Sequence, residues 1–369
     1  MKSIEIDRTK QLREEPQTGH SRFHPDVSPV LEVGIGEEVV LDTRDALDGR
    51  LGPTATAADL TELEPGSVHP LTGPIYVKGA QPGDLLEVEF LDIIPQPRGF
   101  TGIWPGLGFL RDIFTTPYLV HWKINDGWAT SPQLPGVRIP GAPFMGISAV
   151  APSREQLRKW TKREQDWIDG DGLGFAPDAS GAVPQSGPVA TEGLRTFPPR
   201  ENGGNLDAKQ LTRGAKLLLP ISVKGALFST GDGHFAQGDG EVCMTAVEMG
   251  ATVAVRFQVL KNAAAPSRMR GPRFSHDGYF APPEWAAPKR FVAATGLPIR
   301  SDGVNEGENL NLACRNALLN MIDLLQERGW SPEQAYIICS VAVDLRVSNV
   351  VNAPNYVVSA LLPEGIFQS

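Results

Sequence analysis

Cysteine is scarce: Cys243, Cys314 and Cys339 are the only three in 369 residues. A set that is odd, sparse and widely spaced argues against a disulfide framework, and no pair has zinc-knuckle spacing. Each reads as a small buried apolar side chain, in a protein of a reducing compartment. Positive charge is in deficit too. Against 43 Asp and Glu stand 34 Lys and Arg, a net charge of −9. Nucleic acid and anionic membranes demand basic patches, so neither is expected as the main partner. No apolar run approaches the roughly 18 residues of a membrane span. Met1 to Glu15 is charged and has no apolar segment, so no signal peptide is read there. A cytoplasmic location is the expectation.

Hydrophobic residues make up 41% and charged residues 21%, the balance of a globular chain. The length suits one large domain or two ordinary ones. Glycine (39) and proline (32) are spread throughout, which implies many turns and therefore many short strands. Val30–Val33, Glu38–Asp42, Ile75–Val77, Leu86–Leu91, Leu217–Val223 (interrupted at Pro220), Gly225–Ser229, Val242–Val247 and Thr252–Leu260 read as strands. Residues 96–145 read as long loops with short strands such as Tyr118–Val120. Residues 170–204 are a Gly/Pro/Ser-rich loop, and 263–300 a Pro- and Arg-rich connection.

Helices are expected at 153–168, capped by Ser153 with Gln156 at the box position, and at about 308–328, the longest. A short one follows from Ser331-Pro332. The fold class predicted is mostly β, a sandwich or barrel-like body with a few helices. The chain reads as one unit over 1–369, with a possible N-terminal β subdomain at 20–150 and a C-terminal β-plus-helix subdomain at 200–369. Val77-Lys78-Gly79-Ala80 and Val223-Lys224-Gly225-Ala226 hint at a duplication.

Motifs of several enzyme classes are missing. There is no Gly-x-Ser-x-Gly elbow, no Ser-Ser-Lys amidase pattern, no dinucleotide fingerprint and no Walker loop. The densest polar constellation is Ser229-Thr230-Gly231-Asp232-Gly233-His234-Phe235-Ala236-Gln237-Gly238-Asp239-Gly240-Glu241. In an extended chain Asp232 and His234 lie on one side, where carboxylate and imidazole can grip a divalent cation. Glu241, folded back by a Gly-Asp-Gly turn, would stand beside a metal-bound water as general base. The plainer alternative is a Gly/Asp hairpin with a surface histidine. Asn205 and Asp207 are likewise two apart. Asn205 would orient a substrate carbonyl and Asp207 complete a ligand set, unless both merely close a turn. Asp45, ending a strand, and His69, before a Gly-Pro turn, are further candidates for the same site, Asp45 as a metal ligand and His69 as a catalytic group. Zinc is the preferred cation, with calcium as the alternative.

These residues sit in longer motifs. His69 to Leu86 resembles the N-terminal motif of the acetamidase/formamidase family, and Gly203 to Asp207 and Gly231 to Glu241 resemble its central motifs. Arg22 to Asp26 and Pro198 to Glu201 look like the longer, formamidase branch. The resemblance runs from about residue 20 to the C-terminal strand and is loose over 96–145 and 165–200. It implies hydrolysis of small aliphatic amides, formamide or acetamide, to ammonia and carboxylate. It also implies a mostly β fold and a homo-oligomer. On it, Asp207, Asp232 and His234 are ligand candidates and Glu241 the base, with Asp45, His69 and Asn205 as secondary contacts. Two rivals stay open: an amidase whose carboxylates act directly beside a structural cation, and a non-enzymatic β-sandwich that binds a small molecule or calcium.

Overall fold

A computed structural model describes residues 1–63, 65–279 and 288–368. Of the connection read across 263–300, residues 280–287 lie outside the described residues. Two sheets dominate. One has six strands in the order Lys2–Ile4, Glu38–Thr43, Ala251–Leu260, Leu85–Pro95, Ala215–Pro220 and Arg273–His276. Its long antiparallel strands alternate buried and more exposed residues, as the spacing of Val39, Leu41, Val88, Phe90, Val253, Val255 and Phe257 requires. The other has eleven strands, and its inner strand Phe228–His234 is buried at every residue. One hydrophobic core joins side chains of both sheets with those of the two C-terminal helices. Each sheet draws strands from before residue 150 and from after residue 200.

The mostly β expectation holds, with the longest helix near the C-terminus. Helix Arg154–Asp169 starts at Ser153, whose hydroxyl accepts from Gln156 N within a capping box. Helix Leu310–Glu327 is capped by Asn309, buries Ala313, Ala317, Leu318, Met321, Ile322 and Leu325, and lies on strands Phe291–Gly296 and Val357–Pro363. Helix Pro332–Ala342 follows the Ser331 cap.

Three readings differ. Residues 96–145 supply four whole strands, Arg98–Ile103, Tyr118–Asn125, Trp128–Thr130 and Arg138–Pro140, and the start of a fifth, Phe144–Ala149. Their glycines, prolines and aromatics hide the alternation on which a strand is recognised. Val242–Val247 is apolar but turns, and only Glu248–Met249 pairs in a sheet. The strand from Ala215 ends at Pro220, which has no N–H to continue a ladder.

The strand Phe228–His234 organises the site. Its first half pairs with Leu71–Val77, residues 229–234 with Phe144–Ala149, and its end with Glu248–Met249. Strand Gly203–Asn205 joins the far edge of Phe144–Ala149. Residues 69, 205, 207, 232, 234 and 248 are thereby drawn to one place.

Candidate active site

His234 is the hub. Its Nε2 lies 3.1 Å from Glu248 Oε2, 3.4 Å from Asp232 Oδ1 and 4.0 Å from Glu241 Oε1, and its Nδ1 lies 3.9 Å from Asp207 Oδ1. Phe144 meets the ring edge-on at 5.0 Å. Asp232, His234 and Glu248 are almost wholly buried.

The local backbone makes this convergence possible. Asp207, Asp232 and Glu241 all take positive φ, 44°, 58° and 42°. Non-glycine residues in that region are uncommon and cluster at functional sites. Asp232 therefore reaches His234 through a left-handed kink, not by the simple alternation of an extended strand. Opposite the kink stands Gly146. A Cβ there would come within 2.6 Å of Asp207 Oδ1 and 2.9 Å of Asp232 Oδ2. Glycine is needed here for space.

Gln237 sets the tautomer of His234. Its Nε2 donates to the Asp207 carbonyl at 2.8 Å, so its Oε1 faces His234 Nδ1 at 2.9 Å. An amide oxygen accepts only, so Nδ1 carries the proton. Nε2 is then left among carboxylate oxygens, and neither it nor Asp232 Oδ1, Glu248 Oε2 or Asp207 Oδ1 has a hydrogen-bond partner. Buried polar atoms without partners are rare, and several converging on one point need a common partner.

The electrostatics say the same. Four carboxyl groups surround one imidazole. Burial raises Asp207 and Glu248 to about 7, and burial with the neighbouring acids pushes Glu241 well up. Burial also opposes the Asp232 charge, but His69 and His234 outweigh it and hold that acid low. For His234 burial opposes the charge, and Glu248 and Asp232 overcome it and raise the imidazole well above its ordinary value. Protein groups alone satisfy this cluster only by holding extra protons. A divalent cation would neutralise it with the acids ionised.

Two sets have the spacing to hold such an ion: Asp232, His234 and Glu248, and Asp207, His234 and Glu241. Ligand atoms about 2.0–2.2 Å from one tetrahedral cation lie roughly 3.3–3.6 Å apart. The 3.1 and 3.4 Å separations of the first set come near that range. The residues present fit a metal.

The remaining candidates fall in three places. His69 and Asn205 line the same cavity as the acids, and His69 Nδ1 and Asn205 Oδ1 are buried without partners. Burial lowers the His69 pKa, against the pull of Asp232. Asp45 belongs to neither ligand-capable set. Its carboxylate accepts from Leu47 N at 2.9 Å and Gly49 N at 3.0 Å, and it lines a second cavity beside Arg44 and Asp48. Two residues escaped the sequence reading. Glu248 follows an apolar run, and an acid embedded in such a run was the available signal. Gln237 lay inside the constellation without an assigned part. Cys243, by contrast, is buried, with its thiol pKa raised by burial.

The acids form the floor of a cavity of about 970 Å³. A carboxyl–imidazole cluster there suits activation of a water against a bound electrophile. Comparison with known proteins identifies the family. The Acetamidase/Formamidase family model matches residues 5–369. An acetamidase from Mycolicibacterium smegmatis is 35% identical, over 90% of this chain and 87% of its own. A formamidase from Methylophilus methylotrophus is 33% identical, over 99% of this chain and 93% of its own. The solved structure of a gamma lactamase from Delftia acidovorans superposes with a TM-score of 0.94 at 33% identity, covering 100% of this chain and 94% of that one. The chain belongs to the acetamidase/formamidase family and is an amidase.

Proposed function

We propose that this protein hydrolyses carboxamides, of the formamide or acetamide type in the first instance, to ammonia and the carboxylate. The observation that carries the reading is the set of unpartnered acid oxygens around His234 Nε2 at the floor of the cavity. Asp232, His234 and Glu248 would hold a divalent cation, with zinc favoured by an imidazole–carboxylate donor set. Such an ion supplies a Lewis acid that lowers the pKa of water and polarises a carbonyl.

The protein's own groups do the rest. Glu241 stands at the edge of the cluster, 4.0 Å from His234 Nε2, with Asp207 beside it. Its raised affinity for protons suits a general base that must later give the proton up. Water oxygen bonds to the carbonyl carbon as Glu241 takes one water proton. Glu241 then delivers that proton to the amide nitrogen, the C–N bond breaks, and ammonia leaves. Asn205 Oδ1, an acceptor with no partner, is placed to receive a substrate N–H. His69, held neutral by burial, would donate to the carbonyl oxygen. Gln237 keeps the His234 proton on Nδ1 and so leaves Nε2 free as a ligand.

The test is ammonia release from formamide and acetamide by purified protein, before and after chelator treatment and with zinc restored. Activity lost to chelator and regained with metal supports the reading. No ammonia from either amide in zinc-loaded protein would sink it.

A further inference from the structure

The space above the acids is much larger than the amides after which the relatives are named. At about 970 Å³ it lies at the top of the range, about 300–1,000 Å³, of pockets that enclose drug-sized ligands. Formamide or acetamide would leave most of it to water, against walls that repel water. Away from the acids those walls are largely aromatic and aliphatic: Trp104, Leu107, Phe109, Trp167, Phe175 and Phe197. Glu164, one of the charged side chains lining it, is engaged by Arg200 through bonds of 2.6 and 2.8 Å.

A chain of ring contacts starts at His69, beside the acids. His69, which feels the Asp232 charge, stacks on Phe197 with centroids 5.6 Å apart and planes at 14°. Phe197 in turn meets Phe175 edge-on, 4.9 Å away at 80°. A flat apolar group attached to a carboxamide could follow this line, with its amide at the acids and its ring beside Phe197 and Phe175. Offset and edge-to-face contacts of that kind add to the gain from burying apolar surface.

We propose that the preferred substrate is an amide whose acyl part carries an aryl ring, and that Phe197 and Phe175 select it. The proposal rests on the amidase reading above. The bonds made and broken are those already described: water oxygen joins the acyl carbon, C–N breaks, and an aryl-bearing carboxylate and ammonia leave.

The experiment compares kcat/KM for phenylacetamide and acetamide in metal-loaded wild type and in Phe175→Ala. Wild type is expected to favour phenylacetamide at least tenfold. The substitution is expected to cost phenylacetamide roughly tenfold or more, mainly in KM. Acetamide turnover, expected within about twofold of wild type, reports that the variant is folded and its acids intact. Turnover of acetamide with equal or lower kcat/KM for phenylacetamide overturns this proposal and leaves the amidase reading standing. Turnover of neither amide overturns both.

Discussion

Gln237 Oε1 and His234 Nδ1 lie 2.9 Å apart, and the Gln237 amide cannot turn over without losing its 2.8 Å bond to the Asp207 carbonyl. A backbone oxygen thus dictates, through one glutamine, which nitrogen of a buried histidine is free to bind. Replacing Gln237 by Leu removes that control with little change in size. Metal affinity is expected to fall about 10- to 100-fold, the usual effect of losing a partner that orients a ligand. Titration of the apo-protein with zinc checks it, and unchanged affinity would show that packing alone orients the ring.

Gly146→Ala tests the crowding opposite Asp232. The added methyl would press on the Asp207 and Asp232 carboxylates at 2.6 and 2.9 Å, both held by kinked backbone. Overpacking of this kind costs about 1–3 kcal/mol. A lower melting temperature together with weakened zinc binding is expected. A variant with wild-type stability and affinity would mean the two acids move aside freely.

Glu241 and Glu248 should separate by readout. Glu248→Gln removes a ligand charge and is expected to lower bound metal measured by elemental analysis. Glu241→Gln is expected to keep the metal and lose about 10²–10⁴ in kcat, the range for a general base. If Glu241→Gln lost metal and Glu248→Gln kept it, the two assignments would be reversed.

His20 gives a stability prediction independent of the acids. It is buried, its Nε2 is 2.7 Å from Ser229 Oγ, and burial lowers its pKa from 6.5 to about 4, partly offset by a backbone bond at Arg22. The folded protein holds it neutral. As pH falls below about 6.5 the unfolded chain takes up a proton that the folded chain refuses, so stability declines until the folded form also protonates near pH 4. The gap between 6.5 and about 4 corresponds to about 3 kcal/mol. Denaturant melts at pH 7 and pH 5 should show a smaller loss in His20→Gln than in wild type. Equal losses would mean His20 is not what titrates.

Much of the site was legible along the chain. Asp232, His234 and Glu241 share one thirteen-residue stretch, and Asn205 and Asp207 share another, so polar density marked them. Glu248 was not legible as a member of the cluster, because His234 becomes its neighbour only through cross-strand pairing, with Glu248 opposite His234 in the register. Asp45 misled for the opposite reason. The sequence offers it as the end of a strand, but that strand ends at Thr43 and the Asp45 carboxylate accepts from the Leu47 and Gly49 amides. The aromatic wall comes from 96–112, 167–175 and 197, within the stretches 96–145 and 165–200 where the family resemblance is loose and marks only a place for the acyl pocket, not the rings that line it.

Local chemistry in the sequence determined the helices, through Ser153 and Ser331 caps and apolar spacing, and the long alternating strands, because both depend on neighbours a few residues apart. It also named most of the acids. The tertiary structure alone decided which acids share His234, which nitrogen of His234 is bare, and how much room lies above them. Those properties depend on residues far apart in the chain, such as His69 and Glu248, meeting across sheets, and on the space left by one glycine at 146. No spacing along the chain encodes them.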